Sequence, residues 1–473
     1  MTRAAPPPAR RDEIVDALRR GTVPTRGLDV LAVGLDGIGP TIDEEVARAA
    51  AGGGVFKCIR GEWGSGKTFA SRWIADRARR AGFVTSEIQI SESETPLHHL
   101  QTVYRRLVER LAIGEGETGA FRPLVDAWFF LLEEDALAAG EIDEHDEEAL
   151  AVETDRLVEA RLAEVSRRNP TFAAVLRAYR RAVHEGDHAT ADGLIAWLGG
   201  QPNVAASVKR YAGIRGEIDH AGALSFLQGL LTVIRDSGHG GLLVVVDEVE
   251  TLQRVRADAR DRSLNALRQL IDEIDGGRFP GLYLLITGTP AFFDGPQGVQ
   301  RLPPLAQRVA TDFSGDPRFD NPRAVQVRLR GFDHGRLVEL GRNVRTVYAS
   351  TSPAADRIGR IVDDAYLGDL AAAVAGRLGG QVGIAPRLYL KKLVGDVLDR
   401  VELFDEFDPR RDYRLTVTDA ELLDVERNAE RGGAEAVGEG SPDDGAGDGH
   451  AEVATGGRSD PDAIDIDVAA DDS

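Results

Sequence analysis

Residues Gly61-Glu62-Trp63-Gly64-Ser65-Gly66-Lys67-Thr68 satisfy the pattern G-x-x-x-x-G-K-S/T. They sit between a strand-like run, Val55–Arg60, and a helical stretch over about 67–80. Glycines let the backbone curl so that successive N–H groups face one concavity, and the helix start adds its unpaired N–H groups and dipole. A turn of this kind, between a buried strand and a helix, commits the chain to an α/β fold and to binding an anion. Gly61, Gly64, Ser65 and Gly66 supply the cradle, Lys67 reaches β- and γ-phosphates, and the Thr68 hydroxyl is a ligand for Mg²⁺. The chain has 53 glycines but only five lysines, so about 0.005 matches to the pattern are expected by chance.

Other strands follow the same logic. Leu242–Val246 is an unbroken run of leucine and valine of the kind buried on both faces of a parallel sheet. Phe83–Ile90, Gly281–Thr287 and Ala324–Leu329 read as further strands, with helices over Leu97–Leu111 and Arg260–Ile274 between them. Alternating strands and helices predict a parallel sheet sandwiched by helices with right-handed crossovers. Helical spacing with dense charge fills about 115–220 (Leu124–Leu132, Glu148–Arg167, Thr171–His184, Ala189–Leu198) and reads as an insertion. Past Gly331 the helices Arg336–Tyr348, Ala354–Leu378 and Pro386–Leu403 read as a helical lid. The predicted organisation is an N-terminal segment (1–54), a split core (55–114 and 221–332), the insertion (115–220), the lid (333–428) and a tail (429–473).

The Leu242 strand runs into Asp247-Glu248, and the carboxyl end of such a strand opens on the ligand crevice. Asp247 is expected to hold Mg²⁺ and Glu248 to accept a proton from, or orient, an attacking water. An acid there favours hydrolysis over transfer to another substrate. Thr287 ends the next strand, placed to meet the γ-phosphate or the water, with Thr289 in reserve. Two arginines are candidates to stabilise charge on the transferred phosphate: Arg387, opening a lid helix, and Arg308, after the Thr287 strand. Arg308 acting between chains predicts a nucleotide-dependent homo-oligomer. His98-His99 reads as a surface or capping pair, and Trp63 as packing under the nucleotide or filling space.

Composition excludes several classes. Cys58 alone rules out an internal disulfide framework and leaves no zinc-ligand spacing. No run approaches the roughly 20 apolar residues of a membrane helix, and the start lacks a secretory signal, so a soluble cytoplasmic protein away from membranes is expected. The net charge is −21, of which residues 432–473, with twelve acids against Arg458, hold −11. The remaining −10 gives no global basic field for nucleic acid, although arginine-rich faces leave DNA open as a partner. The tail, rich in Gly, Ala and Asp, is expected to be disordered.

Together these motifs resemble the AAA+ ATPases, with Walker A at Gly61–Thr68, Walker B at Leu243–Glu248, and sensors at Thr287 and Arg387; the Gly383-Ile384-Ala385-Pro386-Arg387 spelling is similar to the origin-recognition branch. More narrowly, Arg19-Arg20-Gly21-Thr22-Val23-Pro24, the Arg60–Phe69 loop and Asp247-Glu248-Val249-Glu250 resemble the ATP-binding proteins of BREX phage-defence systems, BrxD type. That resemblance implies ATP as the nucleotide, Arg19–Pro24 near its base, and a methyltransferase, a phosphatase-like protein and a helicase as partners. Two functions then compete. One is an ATP-hydrolysing remodeller or loader of nucleic-acid enzymes, favoured by Glu248 and Thr287. The other is a nucleotide-gated signalling scaffold with slow or no turnover, favoured by the short stretch, 404–428, after the lid. A helicase lacks its second motor domain here, and Glu248 weakens a small-molecule kinase.

Overall fold

The computed structural model describes residues 7–114, 118–138, 147–168, 170–378, 386–418 and 421–422. The expected disordered tail lies outside them. Five strands form one sheet: β1 (Val55–Arg60), β2 (Val84–Gln89), β3 (Leu242–Asp247), β4 (Leu282–Gly288) and β5 (Gln326–Arg328). Their order is β2-β3-β4-β1-β5 and every pairing is parallel. The expected α/β parallel sheet sandwiched by helices is what the chain forms.

The two-residue side-chain period of a strand explains why the central strands carry no polar face. On β3, Leu242, Val244 and Val246 pack to one side, against the helices Leu100–Glu109, His220–Asp236 and Ala257–Asp275. Leu243 and Val245 pack to the other, against Gly39–Ala50 and Lys67–Arg80. β4 splits the same way, with Leu284 and Ile286 on the first side and Tyr283 and Leu285 on the second. Each such side chain taken from water contributes about 1.5–3 kcal/mol, so a run apolar at every position is stable only as an inner layer.

Among the described residues between β2 and β3, six helices run over 121–211, from Phe121–Ala138 to Ala206–Tyr211. They dock on His220–Asp236 through Phe226, which Phe172 and Trp197 meet edge-on at 5.1 and 5.6 Å between ring centres. A Cβ on Gly229, one turn along, would stand 2.6 Å from the Phe172 ring, so that helix needs a glycine there.

After β5, the helices His334–Ala349, Ala355–Ile361, Asp364–Arg377 and the continuous run 386–403 share a second core. Ile14, Val15 and Leu18 of the helix Pro8–Arg20 belong to it as well. The expected single helix over Ala354–Leu378 is two helices. Asp363 caps the second by accepting the Tyr366 amide at 2.8 Å, and Arg345 takes up the freed Val362 carbonyl at 2.7 Å, which together offset the broken turn. Among the described residues no helix is long and apolar enough to cross a membrane.

Candidate nucleotide site

At the end of β1 the chain enters the glycine turn. Gly64 and Gly66 adopt φ of 77° and 89°, where a side chain is strained. Gly61 needs its missing side chain for another reason, because a Cβ there would lie 2.3 Å from the Ser65 hydroxyl. That hydroxyl is buried and has no hydrogen-bond partner. The helix Lys67–Arg80 begins immediately, and the Lys67 ammonium turns back into the loop. It donates to the Gly61 carbonyl at 3.1 Å and the Glu62 carbonyl at 3.5 Å, and lies 4.9 Å from the centre of the Trp63 ring. An orphaned hydroxyl, a cradle that a methyl group would fill and an inward ammonium fit a polyphosphate.

Strand order sets the rest. β4 lies between β1 and β3, so Thr287 arrives between the loop and the acid pair. Asp247, 6 % exposed, accepts from Thr68 Oγ1 at 3.1 Å, from the Thr287 hydroxyl, and from the Glu248 amide at 3.0 Å. Thr68, Asp247 and Thr287 are therefore in direct contact, with Glu248 next in line. Thr289, two residues on, is buried at the N-cap of the helix Pro290–Asp294.

Glu248 is one of two described non-glycine residues with positive φ, at 61°. This backbone costs energy. Gln89 Nε2 donates to Glu248 Oε2 at 2.5 Å. Gln89 ends β2 directly opposite Asp247, a position visible only once the strand neighbours are known. Glu250 is a further residue to which no sequence pattern assigns a role. It sits in the 3-10 turn Val249–Gln253, with its Oε1 3.5 Å from the Lys67 ammonium. Burial pushes its carboxyl upward from the usual range, while the Lys67 ammonium pulls it down. Its neighbours Val249 and Leu252 are buried with it.

The loop from Trp63 to Thr68 and the acids Asp247, Glu248 and Glu250 line a cleft of about 760 Å³, with Thr287 buried behind Asp247. One part of its wall is apolar, with Leu18 and Val23 from the first helix and the loop after it, Leu31 and Val33 from the next turn, and Leu340 and Leu390 from the C-terminal helices, while Arg318, Asp320, Arg328 and Arg330 line another part. Gly21–Pro24 line it, whereas Arg19 faces away and pairs with Asp399 at 2.7 Å. Arg387 lines the cleft and donates to the Glu421 carbonyl at 2.5 Å; Gly383–Ala385 before it lie outside the described residues. Arg336, unremarked in the sequence, lines it too. Arg308 does not. It pairs with Asp272 and bonds the Pro304 carbonyl on its own helix at 2.7 Å.

No group of three or more His, Cys, Asp or Glu able to hold a metal occurs among the described residues. Thr68 and Asp247 instead offer one hydroxyl and one carboxylate. That set suits Mg²⁺, which is usually held by one or two protein ligands together with phosphate oxygens and waters.

A family model described as "BREX system ATP-binding protein BrxC/D" matches residues 7–417. No curated protein matches the chain.

Proposed function

The chain belongs to the BREX system ATP-binding BrxC/D family, and from that premise we propose that it hydrolyses ATP, in the cytoplasm, to remodel or load the nucleic-acid enzymes of the same phage-defence system. We read it as the BrxD type, with the system's methyltransferase, phosphatase-like protein and helicase as its partners. The observation that carries hydrolysis is the cluster of Thr68, Asp247, Thr287 and Glu248 beside Lys67 at one end of the cleft.

In this reading the apolar walls receive the adenine and the backbone of 61–67 receives the phosphates. Lys67 moves onto the β- and γ-phosphates. Thr68 and Asp247 would hold Mg²⁺, and such an ion would supply charge neutralisation for the departing diphosphate. Thr287 orients a water whose proton passes to Glu248 as its oxygen attacks the γ-phosphorus and the bond to ADP breaks. Arg387 stabilises charge on the transferred group, and Arg308 does so across a nucleotide-dependent homo-oligomer once its pair with Asp272 opens.

The test is phosphate release by the native chain, Lys67→Ala and Glu248→Gln, each with and without DNA and partner proteins. Native turnover no faster than that of Glu248→Gln under every condition removes the motor reading. A second reading, a nucleotide-gated signalling scaffold, draws on one observation: the Glu248 carboxylate is already engaged by Gln89. Size measurement with and without ATP tests the oligomer, and an unchanged monomer counts against Arg308.

A further inference from the structure

Three acids follow one another at the end of β3, and their surroundings differ. Asp247 accepts three hydrogen bonds and Glu248 accepts one from Gln89. Glu250 is 5 % exposed, yet neither of its carboxylate oxygens accepts a hydrogen bond. A buried carboxylate left in that state is unfavourable unless a cation faces it. The cation is Lys67, at 3.5 Å. The other groups around that ammonium, the Gly61 and Glu62 carbonyls and the Trp63 ring, are uncharged.

We propose that Glu250 is a positioning residue that holds the Lys67 ammonium inside the glycine loop, so that the β- and γ-phosphates of ATP must displace it. This role rests on the nucleotide reading of the cleft and goes beyond it, because it assigns the free protein a counter-ion that competes with substrate. Phosphate and carboxylate seek the same ammonium. Moving it outward leaves Glu250 buried without a cation, and that cost is subtracted from ATP affinity. A neutral side chain of the same shape removes the competition. The prediction is therefore tighter binding on mutation, opposite to the effect of damaging the site. It is confined to nucleotides long enough to reach Lys67.

The experiment titrates the full chain with ATP, ADP and AMP in native form and as Glu250→Gln, Glu250→Asp, Lys67→Ala and the Lys67→Ala/Glu250→Gln double variant. Glu250→Gln is expected to tighten ATP about tenfold, the scale of losing one competing buried charge, and ADP by less, leaving AMP unchanged. Glu250→Asp, with the charge drawn back, should tighten ATP to a smaller degree. In the Lys67→Ala background, Glu250→Gln should change nothing. ATP affinity unchanged or weakened in Glu250→Gln while AMP still binds overturns the role, as does tightening that survives without Lys67. If Glu250→Gln loses AMP and so has not folded, Glu250→Asp decides by the same criterion. Failure of the native chain to bind ATP would instead overturn the nucleotide reading, and this role with it.

Discussion

At the phosphate end of the cleft, eight consecutive residues supply the turn, the ammonium and the first metal-ligand candidate, and two neighbouring strand ends add the rest. At the apolar end the wall is assembled from pieces that share no local pattern: Leu18 lies on the first helix and Val33 in the loop that follows Leu28–Leu31, while Leu390 comes from a helix far along the chain. The first end is specified by chemistry, since φ at Gly64 and Gly66 and the space at Gly61 admit almost nothing else. The second is specified by topology, and many apolar side chains of similar size meet its needs. Sensitivity to substitution should follow this division.

The largest effect is expected at the phosphate end. Glu248→Gln should lower turnover about 1000-fold while ATP still binds, read by phosphate release beside a binding titration; equal losses in both would make Glu248 a binding residue. Lys67→Ala should weaken ATP about 100-fold and leave AMP within error, measured by calorimetry. Gly61→Ala pushes a methyl group against Ser65 and should weaken ATP about tenfold, with a lower melting temperature, as overpacking does. Val23→Ala, at the apolar end, should weaken ATP, ADP and AMP alike by only about threefold, since it removes part of one wall. A loss there as large as at Lys67 would erase the distinction between the ends.

The smallest effect concerns Glu421, beside the C-terminal helices. Burial alone would raise its carboxyl, but hydrogen bonds from Lys392, the Thr418 amide and Lys391 outweigh this and bring it down to about 2. Because the folded value is depressed, its contribution is complete above the ordinary carboxylate range and is lost as pH falls towards 2. The contact is partly open to water, so the loss should stay below ~1 kcal/mol. Hydrogen exchange across 386–403 at pH 5 and pH 3 would read it, and no change would place the anchor elsewhere.

How legible the molecule was follows from the same division. β1 and the helix after the glycine turn could be read to their last residues, because valine and isoleucine before glycine and a lysine after it leave little choice. The α/β class followed from β3 and β4, whose apolar runs exceed what a half-exposed strand carries. Gln89 could not be assigned a role, because its partner depends on β2 lying beside β3, which no local pattern states. Nor could Glu250, since an acid in a polar loop and one under a lysine read alike in sequence. The helix His220–Asp236 escaped notice because it packs on several sides at once, so its buried residues show no single stripe. Pro8–Arg20 is amphipathic, but its partners lie more than 300 residues on.

That last pairing has a consequence for biosynthesis. Pro8–Arg20 leaves the ribosome before the helices that cover Ile14 and Leu18, which are translated after residue 333. At about 5–20 residues per second, the apolar stripe waits roughly 20–70 s for its partners. During that interval the nascent chain has its glycine turn but no enclosing wall. Nucleotide should be retained only once the helices up to residue 403 have been translated, and the waiting stripe is where a chaperone would be expected to bind.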